Sequence, residues 1–123
     1  MFLLSGVLFV LIIQSIDYMI PVNFVGVITN DNFIFNFSDC MYDNRTCYGL
    51  AWDYREEGQT AKKILIQKNI TKGQTIETCN HEVLHQLLCM DLQQEEGIVE
   101  YLENKVKFSI CDLIVEEALK RGK

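Results

Sequence analysis

No lysine or arginine precedes Arg45, so the amino terminus lacks the basic flank expected of a secretory signal. Proline occurs once, at Pro21, and neither an internal repeat nor a low-complexity tract is present. Repeat arrays and disordered polymers are thereby excluded, and 123 residues are left for one small domain with a modest core. Positive charge is also scarce where acid is dense. Residues 77–117 carry ten acids against only Lys105 and Lys107, and the whole chain has a net charge of −6. Such a surface repels phosphate backbones, which argues against a nucleic-acid partner. For most of these acids a solvated helix face is explanation enough.

What the amino terminus does hold is apolar. Residues 1–13, MFLLSGVLFVLII, match the hydrophobic region of a signal peptide better than a spanning helix, which needs about twenty residues. Gln14, Ser15 and Asp17 interrupt any extension to Ile20, and no small-x-small cleavage site follows. The expectation is a signal peptide or membrane anchor over residues 1–20, exported or membrane-associated, ahead of a single domain over 21–123. The competing reading makes the same stretch a buried element of a cytoplasmic protein.

Five cysteines are many for this length and fit an oxidising compartment. Cys40 and Cys47 could close a small loop. Cys79 and Cys89 fall on one predicted helix, about 15 Å apart along its axis, and cannot bond to each other. Cys111 could reach either of them, leaving one thiol over. Five reduced cysteines in a cytosolic protein are the alternative. Three Asn-x-Ser/Thr triplets, at Asn36, Asn44 and Asn69, are compatible with export.

After Pro21 the pattern is that of strands. Val22–Thr29 and Phe33–Phe37 are rich in β-branched and aromatic residues, with a hairpin turn at Asn30-Asp31-Asn32. Cys47–Tyr54 gives a third strand, and Lys63–Gln67, with its ILI centre, a buried fourth. Three or four antiparallel strands are expected. Thr71-Lys-Gly-Gln74 has capping-box spacing, and a helix is predicted from there to about Cys89. Asp91 caps a second helix with an apolar stripe of Ile98, Val99, Leu102 and Val106, and a third covers Ile110–Leu119. Strands followed by helices make an α+β domain.

Both histidines of the chain lie in one pentapeptide, His81-Glu-Val-Leu-His85. Imidazoles at i and i+4 rise from adjacent turns of one helix face and can bind one Zn²⁺ at about 2.0–2.1 Å. A glutamate after the first histidine stands beside the metal, placed to take a proton from water that the metal acidifies. On a helical projection of about 100° per residue, Ile76, Cys79, Val83, Leu84, Leu87 and Leu88 form the apolar face. His81 and His85 border it, and Glu82 falls on the wet side. Two packing histidines on a helix are the bland alternative.

A third ligand must come from elsewhere. Asp91, Glu95, Glu96, Glu100 and Glu103 are the candidates, with Asp91 better used as a cap. Glu96 is preferred because Gly97 follows it; a glycine inside a helix costs about 1 kcal/mol and often marks close approach of another element. Cys89 is a poor candidate, since a rise of about 12 Å separates positions 81 and 89.

HEVLH followed by Glu96-Gly-Ile-Val-Glu-Tyr101 resembles the gluzincin-type zinc metallopeptidases, whose active helix precedes a second helix bearing a glutamate ligand. The order YGLAWDY, ILI, HEVLH is similar to the sheet and helix of small zincins. The resemblance implies a zincin-like fold, zinc held by His81, His85 and Glu96, Glu82 as general base, and a peptide or protein substrate. Tyr101 matches the family's aromatic position, for which it implies a transition-state role. A non-catalytic module stabilised by zinc or disulfides is the alternative function.

Overall fold

The computed structural model describes residues 16–30, 32–52, 62–88 and 92–123, with backbone alone for Trp52 and residues 92–96. Among the described residues six strands are formed: β1 (Gly26–Asn30), β2 (Phe33–Ser38), β3 (Met41–Tyr42), β4 (Arg45–Thr46), β5 (Gly49–Trp52) and β6 (Lys62–Gln67). Three helices follow: α1 (Lys72–Leu88), α2 (Leu92–Leu102) and α3 (Ser109–Arg121). The α+β order read from the sequence is therefore present.

Four strands share one sheet in the order β1-β2-β6-β5. β1 and β2 form the expected hairpin, antiparallel from Gly26↔Phe37 to Asn30↔Phe33. The all-antiparallel expectation needs correcting. β6 enters between β2 and β5 and runs parallel to β2, with Phe35 opposite Ile64, while β5 pairs antiparallel with β6. Alternation of residue types marks which segments are strands, but the order of strands in a sheet is set by tertiary packing. The ILI run occupies the interior, as its composition requires: Ile64 and Ile66 are fully buried and Leu65 nearly so.

The first strand is shorter than predicted. Val22 lies outside the sheet, donating its N–H to Ile70 O and accepting from Asn69 N–H, and so ties the chain start to the entry of α1. β3 and β4 make a separate hairpin that the sequence pattern did not reveal, closed at its base by the expected Cys40–Cys47 disulfide.

One face of the sheet, carrying Ile28, Phe35, Phe37, Ile64 and Ile66, packs against Ile76, Cys79 and Val83 of α1 and Ile114, Val115 and Ala118 of α3. α1 lies against β5 and β6, with α2 and α3 beside it. Between α1 and α3 the open choice for Cys111 is resolved: it bonds Cys79. Cys89 lies outside the described residues. Leu87, assigned to the apolar face, is instead half exposed at 53%, because the last turn of α1 turns Gln86 rather than Leu87 onto β6, where its amide donates to the Lys63 carbonyl.

Most of the predicted amino-terminal signal or anchor also lies outside the described residues. From Ile16 onward the chain lies on the domain: the Asp17 carboxylate pairs with Lys72 Nζ at 2.5 Å, and Ile20 O accepts the Lys72 N–H. No helix among the described residues is long and apolar enough to cross a membrane.

Candidate metal centre

α1 carries the site, and its start is fixed by the predicted capping box. Thr71 Oγ1 accepts the Gln74 N–H at 3.2 Å, and Gln74 Oε1 accepts the Thr71 N–H at 3.1 Å. Two otherwise unpaired backbone donors are thus satisfied, which sets the register of everything downstream. Lys72 follows, its side chain only 12% exposed and bridging Asp17 and Glu116. Burial alone would lower its pKa, but hydrogen bonds and charge from the two carboxylates outweigh that and raise it above 10.5.

Two turns further on, His81 and His85 face each other with their Nε2 atoms 3.1 Å apart. One donor atom each from His81, Glu82 and His85 falls within 4.8 Å of the others. Nitrogens this close can both reach one ion at the usual zinc–imidazole distance of about 2.0–2.1 Å, so the donor set fits a metal.

The other nitrogen of His81 is engaged as well. Nδ1 lies 2.8 Å from Glu103 Oε2. An ionised carboxylate can only accept, so it assigns the proton to Nδ1 and leaves the Nε2 lone pair facing His85. Glu103 stands just beyond α2, where its N–H donates to the Val99 carbonyl and prolongs the last turn; the fully buried Val99 seats that turn. The sequence offered Glu103 as a candidate ligand, and its contact here is with the far side of the imidazole.

Glu82 departs from its expected environment. It is 6% exposed, not on a wet face. The cause is β5: a Cβ built on Gly49 would lie 2.6 Å from Thr78 Cγ2 and 3.0 Å from Glu82 Cγ. The bare glycine lets the strand descend onto the helix and roof the carboxylate, a close approach that the helical projection of α1 alone does not contain. Gly49 was legible only as one residue of a strand.

A cavity of about 290 Å³ opens beside the site. Tyr48 and Gly49 line it from the strand, Glu77, Thr78, His81 and Glu82 from α1, and Glu103 from the opposite side. No lysine or arginine is among these residues.

The proposed second-helix residues fall differently. Glu96 lies on α2, but its side chain is outside the described residues, as are Glu95 and Asp91. The argument from Gly97 fails: a Cβ there would meet nothing within 4 Å. The glycine stands exposed on the helix surface. Glu100 is also exposed. Tyr101 is 66% exposed, and its hydroxyl accepts a hydrogen bond from Lys105 Nζ at 2.8 Å while the ammonium lies 3.9 Å from the ring centroid. It does not line the cavity.

Comparison of the chain with family models, curated proteins and solved structures finds no match. Any functional reading therefore rests on the site itself.

Proposed function

We propose that the protein is a minimal zinc-dependent metallopeptidase. The observation that carries the reading is the pair of imidazole Nε2 atoms 3.1 Å apart beside the buried Glu82, at the wall of an open cavity. His81 and His85 would hold the metal, and Glu96 is proposed as the third protein ligand. Zinc bound there supplies a Lewis acid and brings the acidity of water at the site toward neutrality.

The chain's own groups do the rest. The Glu82 carboxylate takes the proton of the attacking water and returns it to the leaving amine. Glu103 holds the His81 Nδ1–H and so keeps the ring in the tautomer and orientation that ligation needs. A peptide substrate would lie extended along the edge of β5 that pairs with no strand among the described residues, where Tyr48 and Gly49 open onto the cavity, and add a strand to the sheet. Two disulfides, Cys40–Cys47 and Cys79–Cys111, fit work outside the reducing cytosol, with residues 1–20 as an anchor kept on the chain, since Asp17 and Ile20 hold Lys72.

Metal content of the purified protein, measured in wild type, His81→Ala and Glu82→Gln, tests the proposal. Stoichiometric zinc in wild type and Glu82→Gln, lost in His81→Ala, is expected, with peptide hydrolysis in wild type alone. A folded wild type without zinc would sink it. Zinc bound equally while Glu82→Gln matches wild type on every peptide leaves the second reading, a non-catalytic interaction module. The two disulfides favour that reading, because they stabilise the domain without any metal.

A further inference from the structure

The three Asn-x-Ser/Thr triplets are treated unlike one another by the fold. Asn36 lies within β2, between Val27 of β1 and Leu65 of β6, and is half-buried. The Asn69 triplet ends at Thr71, whose hydroxyl caps α1, while the Asn69 N–H donates to Val22 O at 3.2 Å. Both are woven into backbone pairing.

Asn44 is not. It forms the tip of the β3–β4 hairpin with Asp43, at φ 61° and 51° respectively, the left-handed pair a two-residue hairpin turn requires. Every residue from Met41 to Thr46 is exposed, and among the described residues the Thr46 hydroxyl makes a single contact, 3.7 Å from Met41 Sδ. The Cys40–Cys47 disulfide and the Cys47 N–H bond to Cys40 O fix the base of the hairpin.

From this placement we infer that Asn44 is an N-glycosylation site, used in the compartment where the disulfides form. The side chains of Met41 and Tyr42 are 56% and 61% exposed as well, so the described part of the domain leaves the hairpin open and the Asn44 amide accessible. The donor is an oligosaccharide linked through phosphate to a polyprenyl lipid. Asn44 Nδ2 forms a bond to the anomeric carbon and loses one proton; the anomeric carbon–oxygen bond breaks, and the lipid phosphate leaves with the electron pair. No redox partner is involved. The inference is independent of the metallopeptidase reading.

The test places the full chain behind a cleavable signal that delivers it to the endoplasmic reticulum of a eukaryotic host. Mass spectrometry of the peptide spanning Cys40–Cys47 is expected to show an oligosaccharide, which amidase treatment removes while converting Asn44 to aspartate. Asn44→Gly keeps the left-handed turn and deletes the acceptor; Thr46→Ala keeps the asparagine and deletes the hydroxyl. Both should abolish the added mass, and Thr46→Ser should restore it. If the chain is retained in the cell, the signal-cleaved form supplies the same peptide. An unmodified Asn44 in the disulfide-bonded protein overturns the inference, as does an added mass that persists in Thr46→Ala.

Discussion

Glu103 and Gly49 set the surroundings of the candidate metal ligands without belonging to the His81-Glu82-His85 group. Removing the carboxylate in Glu103→Ala leaves the His81 ring without its 2.8 Å partner; zinc affinity is expected to fall about 10–100-fold, measured by competition with a chelator. Unchanged affinity would show that Glu103 does not orient the ring. Gly49→Ala drives a methyl against Thr78 Cγ2 and against the Leu65 carbonyl, which would be 3.1 Å away. Denaturant unfolding should record a loss of about 1–3 kcal/mol, the usual cost of overpacking. Adding Thr78→Ser, which deletes the offending methyl, should recover part of it. At this scale the sequence was partly informative. The spacing of His81, Glu82 and His85 follows from helix geometry alone, so their convergence could be read directly. The burial of Glu82 could not, because it depends on a strand about thirty residues away that nothing local to the helix announces.

Among the elements, α1 is the most heavily secured. Its first turn is capped by Thr71 and Gln74, and Lys72 ties it to the chain start and to α3 through Asp17 and Glu116. Its middle is joined to α3 by the Cys79–Cys111 disulfide and by Asn80 Oδ1, which accepts the Phe108 N–H at 2.9 Å. The raised pKa of Lys72 gives this clamp a pH signature. A lysine whose folded pKa lies above its unfolded value contributes stability that is fully present below the unfolded value and is lost as pH climbs through the folded one. Stability should therefore decline above about pH 10.5, and Lys72→Met should flatten that limb in urea titrations across pH 9–12. An unaltered limb in Lys72→Met would refute the assignment. The helices were legible because capping residues and apolar stripes are local signals. The end of α2 was misjudged for the opposite reason: Val106 continues the stripe, yet the helix stops at Leu102 and residues 103–105 turn to place Glu103.

For the whole molecule, the helix that carries the candidate metal ligands is also the one the sheet packs on, so a metal bound there would be coupled to the fold. If the folded state alone binds zinc, 100-fold excess over the dissociation constant should stabilise it by about 2.7 kcal/mol. Thermal melts with zinc and with chelator should separate accordingly in wild type and Glu82→Gln, and coincide in His85→Ala. Coincident melts in wild type would argue against the site. The class of the fold followed from strands preceding helices, whereas the mixed sheet did not, since the position of β6 depends on which partners bury its ILI centre. That position has a consequence in time. β1 and β2 can pair as soon as both exist, and so can β5 and β6, but the parallel pairing of β2 with β6 sets Phe33 opposite Lys62 and must bring distant parts of the chain together. Non-local pairing of this kind is slow to form. Until the sheet is whole and seated on α1, the place of Gly49 over Glu82 is not fixed. If the site holds zinc, acquisition of the ion with its full affinity would therefore mark the end of folding, making the bound ion a clock for the closing of the sheet.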